Sequence, residues 1–181
     1  MKPKKYNSGF TLIELLVVIA IIGLLASIVL VALNTSRQKS RIAKRVADLN
    51  QIATALELYY NDNNNVYPLS NPGDNPGGNW RTQCAGWFYT TNFIPGMVST
   101  YMSKFPVDPA MVPASNQNCY LYLSNGTDYK VLDYNLTDMT LAQVSQYPAL
   151  KDPARNDAGN VCGYVDGTLS FAVYSPGGRC W

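Results

Sequence analysis

Residues 10–61 read FTLIELLVVIAIIGLLASIVLVALNTSRQKSRIAKRVADLNQIATALELYYN, and the change of character along this stretch decides the fold. From Leu15 to Leu33 there are nineteen residues with one Ser and no charge. As a helix rising 1.5 Å per residue they span roughly 28 Å, the hydrocarbon thickness of a bilayer. Just before them stands a carboxylate, Glu14. A charge at bilayer depth costs on the order of 2.5–3.5 kcal/mol even on the mildest scales, so something must offset it.

The helical pattern does not stop where the apolar run stops. Between Thr35 and Tyr60 there is no Pro and no Gly, and good helix formers dominate. Ile42, Val46, Leu49, Ala53, Leu56 and Tyr60 recur at a spacing of 4-3-4-3-4, one stripe on one side of a helix. One helix over about 10–61, roughly 78 Å long, accounts for both halves. Its second half should lie against a sheet. Its first half is apolar all round and has nothing in this chain to cover it, so lipid or copies of the chain must do so.

A secretory signal does not fit, because the apolar stretch is too long and no cleavage site follows it. A plain anchor fits the length but leaves Glu14 unexplained. Charge flanks the run on both sides: Lys2, Lys4 and Lys5 precede it, and Arg37, Lys39, Arg41, Lys44 and Arg45 follow it. The second cluster reads as a solvated helix face at the membrane boundary, with lipid phosphates or a neighbour's carboxylates as the competing partners. From Asp62 onward there are nine acidic and six basic side chains, a net of −3, which argues against general nucleic-acid binding.

Gly9-Phe10-Thr11-Leu12-Ile13-Glu14, after a short basic leader and before LLVVIAIIGLLASI, resembles the N-terminal signature of type IV pilins and of the pseudopilins of type II secretion. The likeness is close over residues 5–30 and extends to the long helix. It implies that a prepilin peptidase cuts between Gly9 and Phe10 on the cytoplasmic side and that Phe10 is then N-methylated. It also implies that Glu14 neutralises the N-terminal ammonium of an adjacent subunit in a filament, since a paired buried charge is tolerable where a single one is not. Position near the helix start adds roughly 0.3–1 kcal/mol for a negative charge. Many members carry a Pro about twenty residues into the mature helix; this chain has none between Pro3 and Pro68, and Gly23 is the remaining place for local unwinding.

Beyond Tyr60, NDNNNVYPLSNPGDNPGGN is a turn-rich loop that ends the helix. A short helix is expected around 95–103. "YYNDNNNVYP" and "FPVDP" are similar to the matching region of pseudopilins. CYLYLSNGTDYKVLDYNL gives two strands around Asn125-Gly126, a hairpin signal. Alternation separates Tyr120 and Tyr122 from Leu121 and Leu123, and the leucines are expected to face the helix. A last strand is expected at 168–175, with Asp166-Gly167 as a second hairpin turn. The fold class is α+β: a long N-terminal helix whose C-terminal half packs on a small antiparallel β-sheet head. The segments are a leader (1–9), a transmembrane or filament-core half (10–35), an amphipathic half (36–61) and a head (62–181).

Cys84, Cys119, Cys162 and Cys180 all follow the apolar run, and with no His and no Cys-x-x-Cys they lack the pattern of a zinc site. Disulfides in an oxidising compartment are expected. Of the three possible connectivities, Cys84–Cys119 and Cys162–Cys180 each bracket a self-contained segment and are favoured. Asp128, Asp133, Asp138, Asp152, Asp157 and Asp166 could supply a calcium site, as in some pseudopilins, but they lack EF-hand-like spacing and read as solvated loop charges. The aromatic residues read as core and rim packing. Three glycosylation sequons, at Asn34, Asn125 and Asn135, are no more than chance supplies in an Asn- and Thr-rich chain. No catalytic constellation, metal or cofactor is expected.

The expected function is therefore a type IV pilin-like structural subunit, not an enzyme: a single-pass membrane protein, then part of a surface filament. Its partners are copies of itself, prepilin peptidase, inner-membrane assembly machinery and, before assembly, lipid. The alternatives are a pseudopilin of a secretion or DNA-uptake system, in a periplasmic fibre, and a membrane-anchored binding module that never polymerises.

Overall fold

The computed structural model describes residues 10–70, 80–82, 84, 92–112, 114–156, 162 and 167–181. It divides into two compact units, Met1–Ser40 and Arg41–Trp181. Helix α1 runs from Leu12 to Asp62, close to the expected span. In the first unit its residues are exposed on every side: Leu12, Ile13, Leu24, Ile28 and Val31 all stand open. It is the one described helix long and apolar enough to cross a membrane by length and composition.

In the second unit, the rest of α1 buries Ile42, Arg45, Asp48, Leu49, Ile52, Ala55 and Leu56. The expected stripe is thus right at Ile42, Leu49 and Leu56, while Val46 and Ala53 are half-buried at its edge. Against it lies a four-stranded antiparallel sheet in the order β1 (Arg81–Thr82), β2 (Cys119–Ser124), β3 (Tyr129–Tyr134), β4 (Phe171–Tyr174). β2 and β3 form the hairpin, joined by residues 125–128, where the Asn125 side chain accepts from the backbone N–H of Thr127 and Asp128 and Gly126 adopts φ +92°. A four-residue helix, α2 (Leu141–Val144), carries a Thr140–Gln143 capping box.

Three expectations need correction. The tyrosines, not the leucines, face the helix: Tyr120, Tyr122, Tyr129, Val131 and Phe171 share the core of Ile42, Leu49, Ile52 and Leu56. Leu121 packs on the opposite side with Leu132, Ala172, Cys84 and Cys119. A tyrosine ring fills the wide space between helix and sheet, and its hydroxyl needs a polar partner. Tyr120 finds one in Asp48 Oδ2 at 2.9 Å, and Tyr122 in the Pro68 carbonyl. Residues 95–103 form turns and a Val98–Met102 bridge, not a helix. Gly96 and Ser99 have φ of +74° and +72°, outside right-handed helical space, and a Cβ on Gly96 would stand 3.0 Å from the Tyr59 ring. Finally, β4 begins at Phe171 and reaches β3 through a long connection, not through a tight Asp166-Gly167 hairpin; Asp166 lies outside the described residues.

Cys84 is bonded to Cys119 and Cys162 to Cys180, at sequence separations of 35 and 18. Loops of these lengths correspond to about 3–4 kcal/mol each in the chain-entropy account of cross-links. Full-length protein in detergent should therefore show no free thiols before reduction, and a loss of several kcal/mol of head stability after it; detection of titratable thiols in the folded, unreduced protein would contradict the pairing. Leu56→Ala should lower head stability by about 2–5 kcal/mol in denaturant unfolding followed by aromatic circular dichroism. Leu24→Ala, at an exposed position, should leave the same transition in place.

Candidate functional site

Helix α1 begins in a capping box. Thr11 is its N-cap: the Leu15 N–H donates to the Thr11 carbonyl at 3.2 Å, and the Glu14 N–H to Thr11 Oγ1 at 3.3 Å. In return Glu14 Oε2 accepts from the Thr11 N–H at 2.8 Å and from Thr11 Oγ1 at 2.7 Å. The T-x-x-E spacing makes this possible because residues three apart face each other across the first turn. Two backbone donors at the helix start are thus met reciprocally, the Thr11 N–H by Glu14 Oε2 and the Glu14 N–H by Thr11 Oγ1. Among the described residues the other oxygen, Oε1, has no hydrogen-bond partner.

Glu14 therefore does not snorkel away from the helix; it is held at the helix start by its own turn. Phe10, Ile13, Glu14, Val17 and Val18 line an open, shallow groove, nearly all of whose wall is hydrocarbon. Phe10 is 79% exposed. A single negative charge is thus fixed one turn from Phe10, on an apolar surface that nothing in the described chain covers. Such a site suits a cation brought by another apolar surface. Gly9 and the three leader lysines lie outside the described residues.

Gly23 sits in mid-helix, where a Cβ would meet nothing within 4 Å. Among the described residues no contact demands glycine there, and glycine weakens a helix interior by about 1 kcal/mol relative to alanine.

The remaining sequence candidates divide differently than expected. Arg45, read as part of a solvated basic face, is fully buried and meets Asp108, Asp133 and Asp138. Asp133 and Asp152, read as solvated loop charges, are fully buried too, Asp152 against Lys130 and Arg155. Asp128 accepts from Ser175 Oγ and the Gly177 N–H. Asp157 and Asp166 lie outside the described residues. The residue that sequence reading passed over at the N-terminus is Thr11, although T-x-x-E before an apolar run is a legible cap signal. Arg45 also had a signal: it interrupts the buried side of the helix one turn after Ile42.

Comparison with known proteins agrees with this geometry. Residues 4–30 match the family model of the prokaryotic N-terminal methylation motif. The chain is 33% identical over 129 residues to the type II secretion system core protein G of Pseudomonas aeruginosa, an alignment covering 68% of this chain and 78% of that protein. The proteins of the same name from Aeromonas hydrophila (43% over 70 residues) and Vibrio cholerae (40% over 73 residues) match about two fifths of this chain and about half of their own length. No solved structure matches the chain significantly. With a match to the methylation motif at its N-terminus and a likeness to the Pseudomonas protein over two thirds of its length, the chain belongs to the type II secretion system core protein G family of pilin-like pseudopilins.

Proposed function

We propose that this chain is a structural pseudopilin: a subunit inserted in the inner membrane, cut between Gly9 and Phe10 by prepilin peptidase, N-methylated on Phe10, and drawn by inner-membrane assembly machinery into a short periplasmic fibre made of its own copies. Residues 1–9 are the leader, 10–35 the membrane and fibre-core half of the helix, 36–61 the half that carries the head, and 62–181 the head. Between a surface pilus and a secretion fibre, the names of the relatives favour the secretion fibre.

The observation that carries this reading is the fixed carboxylate on an uncovered apolar helix. Cleavage leaves an ammonium on Phe10, and methylation preserves its charge. In a bundle of such helices the ammonium of one subunit meets Glu14 of another. Thr11 occupies Oε2 and fixes the side chain, while Oε1 remains for the incoming N–H donors. The pair lets both charges enter a low-dielectric core that would reject either alone. The head, whose carboxylates are mostly consumed in internal contacts, forms the fibre's outer surface.

Intact mass of fibre-incorporated protein should begin at Phe10 with one added methyl group. Retention of Met1 would defeat the fibre reading, since three lysines would then enter the core beside every helix. Glu14→Val should leave membrane insertion and cleavage in place. It should lower the ratio of fibre-incorporated to membrane-held subunit by more than about a hundredfold, because an unpaired buried charge costs about 3–5 kcal/mol at each contact. Loss of the chain should trap exported proteins in the periplasm, with wild type but not Glu14→Val restoring release. Normal export together with lost surface fibres would instead identify a pilus subunit.

A further inference from the structure

The contact between α1 and the sheet contains a group of charges whose count does not balance. Arg45 Nε lies 2.6 Å from Asp108 Oδ2 and 3.2 Å from Asp133 Oδ2, and Arg45 Nη2 lies 2.8 Å from Asp138 Oδ1. Arg45, Asp108 and Asp133 side chains are all fully buried. Arg41 reaches Asp138 from the exposed side at 3.3 Å, and Lys44 pairs with Asp48 on the same helix. Thus Arg41 and Arg45 face Asp108, Asp133 and Asp138, while Lys44 answers Asp48. Among the described residues one carboxylate is in surplus.

Hydrogen bonding identifies it. The single N–H on Arg45 Nε goes to Asp108. Arg45 Nη2 donates to Asp108 Oδ1 and Asp138 Oδ1, and Asp108 Oδ1 also accepts from the Ala110 N–H. Neither oxygen of Asp133 accepts any hydrogen bond. The strand partners give it nothing: Tyr120, opposite on β2, spends its hydroxyl on Asp48, and Phe171, opposite on β4, has no polar atom to offer. Asn118, the remaining polar neighbour of Arg45, directs its amide to Ala110 and Thr137. An ionised carboxylate in this position would be buried, surplus in charge and without a donor, a combination that proteins avoid.

We propose that Asp133 carries a proton in the folded head and donates it to Asp108, so that the seam between helix and sheet is closed by a bound proton as well as by Arg45. One proton removes the surplus charge and turns an unsatisfied acceptor into the missing donor. Burial, followed by the charge of Asp108, pushes the Asp133 carboxyl well above the usual carboxylate range, and outweighs the pull of Arg45. The same Arg45 guanidinium is held charged: burial works against it, but its bonds and attractions to Asp108, Asp133 and Asp138 raise its pKa overall.

The linkage has a definite sign. An acid whose folded pKa lies above its unfolded value of 3.8 stabilises the fold fully below that value, and the contribution is lost as pH rises through the folded pKa. The head therefore weakens toward alkaline pH, and the lost contribution is specific to Asp133. Asp133→Asn supplies a permanent neutral donor of the same shape.

Full-length protein in detergent micelles is melted by aromatic circular dichroism between about pH 4 and pH 8. The midpoint of Asp133→Asn should rise relative to wild type as pH increases, by on the order of 5 °C or more across that range. A difference that stays constant, or moves the other way, overturns the proposal. Infrared spectra of the wild-type protein decide the question independently of how the variant folds. A carboxylic-acid carbonyl band should persist near pH 7, where every exposed carboxyl group is ionised. Absence of that band means that Asp133 is ionised, with a buried water bridging it to Arg45 Nη1, and the proposal is wrong.

Discussion

An α-helix that is apolar around its whole circumference cannot remain in water. At about 1.5 kcal/mol for each large side chain left exposed, the fourteen Leu, Ile and Val residues from Leu15 to Leu33 represent roughly 20 kcal/mol. That exceeds the about 5–15 kcal/mol that typically holds a domain folded, so no rearrangement of the head could shelter them at acceptable cost. The segment must pass from one apolar environment directly to another, from lipid to the helices of its neighbours. Because hydrocarbon chains and leucines are equally apolar, the hydrophobic effect does not itself drive that exchange. Packing and polar pairing must supply direction, and in the proposed fibre Glu14 is the polar group that would do it.

The head solves an opposite problem. Its share of α1 is amphipathic, and the apolar residues Ile42, Leu49, Ile52 and Leu56 give burial but little register, since a helix can slide or rotate on a sheet with small loss. Arg45 removes that freedom. Its guanidinium must meet acceptors from two places in the chain, Asp108 and Asp138, with Asp133 packed beside them, and any slip leaves a buried cation unmatched. Tyr120, reaching Asp48 from β2, adds a second polar bond across the same seam. Hydrophobic burial closes the interface; the charged residues fix where it closes.

What could be read in the sequence followed from periodicity and local chemistry. The single long helix, the stripe at Ile42, Leu49 and Leu56 and the Asn125-Gly126 hairpin are each encoded within a few residues of one another. The sheet's orientation was not legible, because alternation separates Tyr120 and Tyr122 from Leu121 and Leu123 without saying which pair meets the helix. Hydrophobicity favours the leucines; the deciding fact is that distant groups, Asp48 and Pro68, satisfy the tyrosine hydroxyls. The burial of Asp133 and Asp152 was hidden for the same reason, since their partners Arg45 and Lys130 are far off in sequence or on another strand. Residues 95–103 misled because the left-handed backbone of Gly96 and Ser99 is not written in residue type, and the Tyr59 ring that a Cβ at Gly96 would crowd is distant in sequence. At the N-terminus the motif was plain, while its internal geometry rested on a T-x-x-E cap whose role was obscured by the apolar run around it.

The two ends of α1 thus place charge by contrasting rules. Arg45 meets its carboxylates within its own chain, so the charged seam of the head closes in a single subunit. Glu14 is half satisfied: Thr11 fixes one oxygen, and the other is left without a partner among the described residues. A full cap would have made the helix start content in lipid and indifferent to neighbours; no cap would have left the carboxylate free to swing toward headgroups. On the fibre reading proposed above, holding one oxygen and offering the other makes the isolated subunit tolerable in the membrane and better placed in a bundle, and that difference is the free-energy gradient along which an apolar helix would leave lipid for an equally apolar fibre.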